Sequence, residues 1–337
     1  MPRPAPPRTL FDLAPPFQTE LLPVTHGHAL YVRQHGNPAG QPALVLHGGP
    51  GSGFSSALAR FFDPAHYRLV CVDQRGAGRS LPTGCVAHNQ TAHLLADLRA
   101  VHAHLGLQRW LVVGGSWGAT LALLHAADMP QAVSGLLLRS TFLARQEDID
   151  AFFNPQRHGL FATPGDWPLA DYATATADAG AGAGPVVKAL HAALFGDDRT
   201  RQQRAALHWW QWEQQLGASP APASPPTTPD SVTLSALVLR YRIQSHYLLH
   251  ACWLDPQGWP ARCAGLPLVP TLLVHGAEDA VCPVQGARQL HAWLPGSQLQ
   301  LLSGTGHALQ HPAMVQAMVA AVQGFAEHGR FCTEDPP

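Results

Sequence analysis

Trp110-Leu111-Val112-Val113-Gly114-Gly115-Ser116-Trp117-Gly118 decides how this chain of 337 residues is read. Four apolar residues fit a buried strand, Gly114 to Gly118 spell G-x-S-x-G, and Ala119 to Ala127 continue as a helix former. In the order strand, small residues, serine, helix, the motif marks a nucleophile elbow. Such a turn is so tight that the positions flanking the serine carry almost no side chain. It lifts the Ser116 hydroxyl above the sheet edge and points the free N–H groups of the next helix at developing negative charge. G-x-S-x-G alone recurs by chance, so the reading rests on the segments before and after it.

Downstream of the elbow, an acid and then a histidine complete the order Ser, acid, His in which an α/β-hydrolase presents its triad. The run Leu272-Leu273-Val274 leads into His275-Gly276-Ala277-Glu278-Asp279, a place where a strand end delivers a loop carboxylate. Asp279 and its neighbour Glu278 both qualify. The run Leu299 to Leu302 leads into Ser303-Gly304-Thr305-Gly306-His307, whose glycines allow a tight loop that swings the imidazole between acid and serine. In that constellation Ser116 attacks, His307 takes its proton and returns it to the leaving group, and the carboxylate fixes the tautomer. Upstream, Leu44-Val45-Leu46 ends in His47-Gly48-Gly49-Pro50-Gly51, an early glycine-rich loop of the kind that donates backbone N–H to an oxyanion. The second donor is expected from the N–H of Trp117. The glycine run lacks the Lys-Ser/Thr ending of a P-loop and the spacing of a dinucleotide fingerprint, which argues against a phosphate cradle.

Strand and helix patterns alternate on either side of the elbow. Ala29 to Arg33, Ala43 to His47, Leu69 to Val72, Leu111 to Val113 and Gly135 to Leu138 read as strands. Thr91 to Leu105 carries apolar residues at helical spacing, and Ala313 to Glu327 closes the chain as an amphipathic helix. The expected fold class is α/β, a mostly parallel doubly wound sheet with its ligand site at the carboxyl ends of the strands. Residues 1–140 and 264–337 form the core in this reading, and 141–263 an inserted helical cap over the site. Within the cap, 173–185 is rich in Ala and Gly and 217–231 in Pro, Ser and Ala, and both are expected as loops.

Bulk properties narrow the function. With 21 basic and 22 acidic residues and no basic block, the chain offers no electrostatic footprint for nucleic acid or acidic membrane. No apolar run approaches the ~20 residues of a transmembrane helix. Met1 to Pro16 is proline-rich without the hydrophobic segment of a signal peptide, so a cytoplasmic enzyme is expected. Six cysteines (Cys71, Cys85, Cys252, Cys263, Cys282, Cys332) form no C-x-x-C pair and are expected to be reduced. Twenty histidines raise the question of a metal, but there is no H-E-x-x-H. The pairs His26/His28 and His102/His104 sit two apart, a spacing that suits a strand face better than a helix face, so solvated or hydrogen-bonded histidines and no metal are expected.

With these residues assembled, the chain resembles the proline iminopeptidase (prolyl aminopeptidase) family of α/β-hydrolases. The resemblance runs from Leu21-Leu22-Pro23-Val24 to the last helix. It is densest at His47-Gly48-Gly49-Pro50-Gly51, Phe62-Asp63-Pro64, Asp73-Gln74-Arg75-Gly76-Ala77-Gly78-Arg79-Ser80 and Gly114 to Gly118. Trp209-Trp210-Gln211-Trp212-Glu213, Arg242 to Tyr247 and His275 to Pro283 carry it on. It implies Ser116, Asp279 (rather than Glu278) and His307 as the triad, and Gly49 with Trp117 as oxyanion donors. It also implies removal of an N-terminal proline from peptides without a metal or other cofactor. Glu213, set by Trp209 and Trp212, falls at the family's amine-binding position, and these three with Gln244 are expected to bind the substrate. A carboxylate in a partly dry pocket attracts a free α-ammonium and rejects an acylated one, which leaves it unpaired.

Two departures bear on specificity. Where the family has R-I-E-x-H-Y, this chain places Gln244, an acceptor without charge, in the glutamate's position. Amine affinity is expected to fall by up to the ~1.5–3 kcal/mol of a charged hydrogen bond. Ser140-Thr141 replaces a glycine and an aliphatic residue after Arg139. The rival reading keeps the triad but turns the pocket to esters, lactones or amides without a free amine. A non-catalytic binder is the third, and it has no use for a complete triad. The expected partner is a short peptide or other small acyl substrate.

Overall fold

The computed structural model describes residues 9–158, 167–173, 182–218 and 229–331. Its centre is an eight-stranded sheet in the order β1-β2-β4-β3-β5-β6-β7-β8. The strands are β1 Gln18–Pro23, β2 Ala29–Gly36, β3 Gln41–Leu46, β4 Tyr67–Val72, β5 Trp110–Ser116, β6 Val133–Thr141, β7 Thr271–Gly276 and β8 Gln298–Leu302. β2 runs antiparallel to both its neighbours, and every pairing from β4 through β8 is parallel. A parallel sheet is covered on both faces, so its strands are apolar at every position, with alternate residues feeding two cores. Leu44, Leu46, Val70, Val72, Val112 and Leu138 enter one core, against helices α1 (Thr91–Leu105) and α2 (Trp117–Asp128). Ala43, Val45, Leu69, Val113 and Leu137 enter the other, against helix α7 (Pro312–His328). Helices of ten or more residues number seven among the described residues, α1 to α7 in chain order.

The expected strands and the helix over Thr91–Leu105 are present, most strands a few residues longer than the apolar runs suggest. β1 escaped the sequence reading: it is an edge strand with largely exposed side chains, so its pattern carries little hydrophobic signal. Between β6 and β7 the chain leaves the sheet to form helices α3 (Gly184–Phe195), α4 (Arg199–Ala218) and α5 (Ser231–Leu249). These share a third core built on Leu190, Leu194, Trp209, Trp212, Leu216 and Tyr241. The stretches expected as loops, 173–185 and 217–231, lie largely outside the described residues. Where described, Gly184-Pro185 opens α3 and Gly217-Ala218 closes α4, because Pro is tolerated at the first positions of a helix. Helix α6 (Val284–Trp293) follows β7. No helix among the described residues is long and apolar enough to cross a membrane. Cys71, Cys85, Cys252, Cys263 and Cys282 are free thiols, and Cys332 lies outside the described residues.

Candidate active site

β5 ends at Ser116, whose backbone turns to φ 56° and ψ −125° before α2 begins. A Cβ on Gly114 would stand 2.1 Å from the Gly118 carbonyl oxygen, and one on Gly118 would stand 2.3 Å from that of Leu46. The elbow therefore closes only with glycine at both places, and the second lets α2 dock on β3. The glycine loop after β3 lies over the serine, since a Cβ on Gly48 would be 3.5 Å from Ser116 Cβ. Gly49 sits at φ 110°, a conformation that favours glycine.

The loops after β7 and β8 bring the other two residues in. His307 Nδ1 donates to Asp279 Oδ2 at 2.8 Å, with Oδ1 at 3.1 Å. Asp279 Oδ1 also accepts from the N–H groups of Val281 (2.9 Å) and Cys282 (2.8 Å). Burial works against the charged carboxylate, but His307, His275 and the Cys282 N–H outweigh it and hold Asp279 below the usual carboxylate range. The rival Glu278 takes another part: its Oε2 accepts from the Thr305 N–H at 2.9 Å and pins the loop that carries His307. His275 is buried and neutral in its bonding, with Nδ1 accepting from the Thr141 N–H (3.1 Å) and Nε2 on the Cys282 carbonyl (2.8 Å). Ser116 Oγ is within 3.6 Å of the Cys282 thiol and makes no hydrogen bond to the imidazole in this arrangement.

Two residues in this region had no assigned part in the sequence reading. Arg139, at the end of β6 and 4% exposed, donates to the His307 carbonyl oxygen at 2.8 Å and reaches His307 Nε2 at 3.5 Å. It passes so close to the elbow that a Cβ on Gly115 would meet its Nε at 2.8 Å. Its partner Ser140 accepts from Arg139 Nη1 at 3.0 Å while holding φ 47°, a conformation the expected glycine adopts without strain. Gln74 ties the two proposed oxyanion segments together. Its Nε2 donates to the His47 carbonyl at 2.9 Å and its Oε1 accepts from the Trp117 indole at 2.9 Å. Nearby, Asp73 accepts from Arg33 Nη2 (2.6 Å) and from the N–H groups of Phe54 and Arg79, which fixes the D-Q-R-G loop under the glycine loop.

Ser116, His307 and Gly49 line a cavity of ≈ 590 Å³, and so do Glu213, Arg240 and Gln244 from α4 and α5. The Glu213 carboxylate is already engaged there. Oε2 accepts from Arg240 Nη2 at 2.6 Å and from the Tyr241 hydroxyl at 2.9 Å, and Oε1 accepts from Gln244 Nε2 at 3.1 Å. Burial opposes the Arg240 charge, but Glu213 more than offsets it and raises the guanidinium above its ordinary range. Gln244 keeps its own Oε1 buried and without a partner. Trp209 and Trp212, expected at the substrate, are both fully buried in the helical core, and neither is among the residues that line the cavity. Trp209 stacks on Tyr241 at 4.8 Å, and the Trp212 indole donates to the Phe152 carbonyl at 2.9 Å. At helical spacing their large apolar faces find the α3–α5 core, and they back the cavity from behind Phe152 and Phe153, which line it.

Known proteins share this fold and much of this sequence. A family model described as "alpha/beta hydrolase fold" matches residues 42–313. The proline iminopeptidase of Xanthomonas citri is 37% identical over 320 residues, which cover 95% of this chain and 100% of that one. That of Arabidopsis thaliana is 34% identical, covering 93% of this chain and 81% of that one. Among solved structures, a hydrolase from Pseudomonas aeruginosa superposes with a TM-score of 0.60 at 18% identity, covering 91% of this chain and 99% of that one. A bromoperoxidase from Bacillus anthracis gives 0.59 at 17%, with 90% and 96% covered. Likeness at such identities speaks for the fold alone.

Proposed function

The chain belongs to the proline iminopeptidase family of α/β-hydrolases, and from that premise we propose a serine aminopeptidase that releases N-terminal proline, or a similar small residue, through an acyl-enzyme. The observation that carries the reading is one cavity lined by Ser116, His307 and Glu213 together. Ser116 Oγ turns from Cys282 to His307 Nε2 and attacks the scissile carbonyl while the imidazole takes its proton. Because His307 Nδ1–H is committed to Asp279, Nε2 is the unprotonated nitrogen that acts as base, exchanging its long 3.5 Å contact with Arg139 Nη2 for the serine. Asp279 stabilises the imidazolium, and the N–H groups of Gly49 and Trp117 receive the oxyanion. The C–N bond then breaks as His307 returns the proton to the leaving amine. Water, activated by the same imidazole, attacks the ester and frees the amino acid. Residues 141–263 act as a cap that shapes the substrate end of the cavity.

The α-ammonium binds where Glu213 and the unpartnered Gln244 Oε1 converge, in competition with Arg240 for the carboxylate. Hydrolysis of a proline anilide by the wild type, abolished in Ser116→Ala, is the expected result. Turnover retained by Ser116→Ala would overturn the assignment of the nucleophile. A second reading is favoured by the same ion pair: a Glu213 neutralised by Arg240 suits an ester or amide with no free amine. Faster turnover of N-acylated substrates than of free ones selects that reading.

A further inference from the structure

Away from the cavity, three histidines from separate segments meet at the surface. His26 lies in the turn between β1 and β2, His88 in the loop before α1, and His93 in the first turn of α1. One nitrogen of each falls within 4.8 Å of the others. The rings of His26 and His88 stack at 4.1 Å, and His93 stands edge-on to both, at 5.4 and 6.0 Å. None of the three lines the cavity that holds Ser116. Their convergence is not visible in the sequence, where His26 is paired by spacing with His28 instead.

We propose that His26, His88 and His93 form a binding site for a zinc-class divalent transition ion, completed by water. Three imidazole nitrogens are the donor set such ions favour. Zinc–nitrogen bonds of about 2.0–2.1 Å in a tetrahedron set the nitrogens about 3.4 Å apart. Ion binding would therefore require the His26 and His88 rings, both exposed, to turn about their side-chain bonds and close this spacing. His93 Nδ1 is buried without a hydrogen-bond partner, an orphan atom in a place where such groups are normally satisfied.

The support beneath the site is rigid. Buried Arg75 clasps Asp97 through Nε at 2.6 Å and Nη2 at 2.8 Å, so its charge is matched by a carboxylate. The same guanidinium donates to Thr25 Oγ1 (2.7 Å), next to His26, and to the His88 carbonyl (2.9 Å). His28 Nε2 adds a bond to the Ala87 carbonyl at 2.9 Å. His26 and His88 are both held at positive φ, 60° and 50°, by these braces. One residue on, Asn89 accepts from the Tyr247 hydroxyl of α5 at 2.9 Å. A bound ion would therefore clip together the β1–β2 turn, the loop under α5 and the start of α1, as a structural and not a catalytic centre.

The test is calorimetric titration of untagged protein with Zn²⁺, with Co²⁺ as a spectroscopic probe. One equivalent is expected per chain, with a rise in Tm and the visible spectrum of nitrogen-bound four-coordinate cobalt. His88→Ala and His93→Ala should each weaken binding beyond the about 10- to 100-fold that loss of an outer-shell partner costs. The exposed control His66→Ala should bind as wild type does, and all variants should melt like wild type without metal. No stoichiometric binding overturns the proposal. So does binding that survives in His88→Ala and His93→Ala, because it places the ion at other histidines.

Discussion

At the scale of single residues, the balance between Glu213 and Arg240 sets what the cavity accepts. In Glu213→Gln the charge that draws an ammonium is gone, so kcat/KM for a free-amine substrate should fall by about 10- to 150-fold, the worth of a charged hydrogen bond. The N-acetylated counterpart should change little. Equal losses on both would make Glu213 a structural residue. Arg240→Met releases the carboxylate from its 2.6 Å partner and should lower KM for free amines specifically. An unchanged KM would mean that the ion pair does not compete with substrate. Ser116, His307 and Asp279, the triad we propose, stand out in the sequence because their motifs report local backbone needs: glycines at a tight turn, and loops at strand ends. It did not disclose that Arg240 and Tyr241 cap Glu213, because those contacts join α4 to α5 across 27 and 28 positions. For the same reason Trp209 and Trp212 read as pocket residues, when a helical stripe of tryptophans is equally the signature of a core.

Among the elements, the junction of β5, α2 and β3 bears the site. Gly118→Ala would set a Cβ 2.3 Å from the Leu46 carbonyl oxygen, a backbone atom that cannot rotate away. We expect this variant to lose α2 docking and either fail to accumulate in soluble form or melt far below wild type. A variant with wild-type Tm and turnover would contradict the close approach of α2 to β3. The parallel strands were legible because each is apolar on two faces, and α1 because its apolar residues recur at 3.6-residue spacing. The antiparallel edge was not. β1 is held by its register with β2, from Gln18 opposite Gln34 to Pro23 opposite Ala29, and leaves most of its side chains in solvent.

Over the whole molecule, buried histidines couple stability to pH. His125 is fully buried, and burial pushes it down to about 4. The Trp110 indole donates to its Nε2 at 3.1 Å, a bond only the unprotonated nitrogen accepts. In the unfolded chain this ring titrates near 6.5, so between about pH 6.5 and 4 the unfolded state takes up a proton that the native state refuses. Stability from His125 is therefore complete above about pH 6.5 and falls with decreasing pH by about 1.4 kcal/mol per unit, about 3 kcal/mol in all. His47 and His275, lowered chiefly by burial, act in the same direction. Urea unfolding at about pH 7.5 and pH 5 should show a smaller loss in His125→Gln than in wild type; equal losses would mean that His125 is protonated in the native state. The general architecture, a sheet with a helical insertion before the acid and histidine, could be inferred from the chain's alternating patterns. The shared cavity could not, because it depends on how α4 and α5 sit over the strand ends. Function at this scale comes down to one comparison, kcat/KM for a proline anilide with a free imino group against its N-acetylated twin. A large preference for the free form is expected. Equal turnover, or faster turnover of the acetylated form, would contradict it.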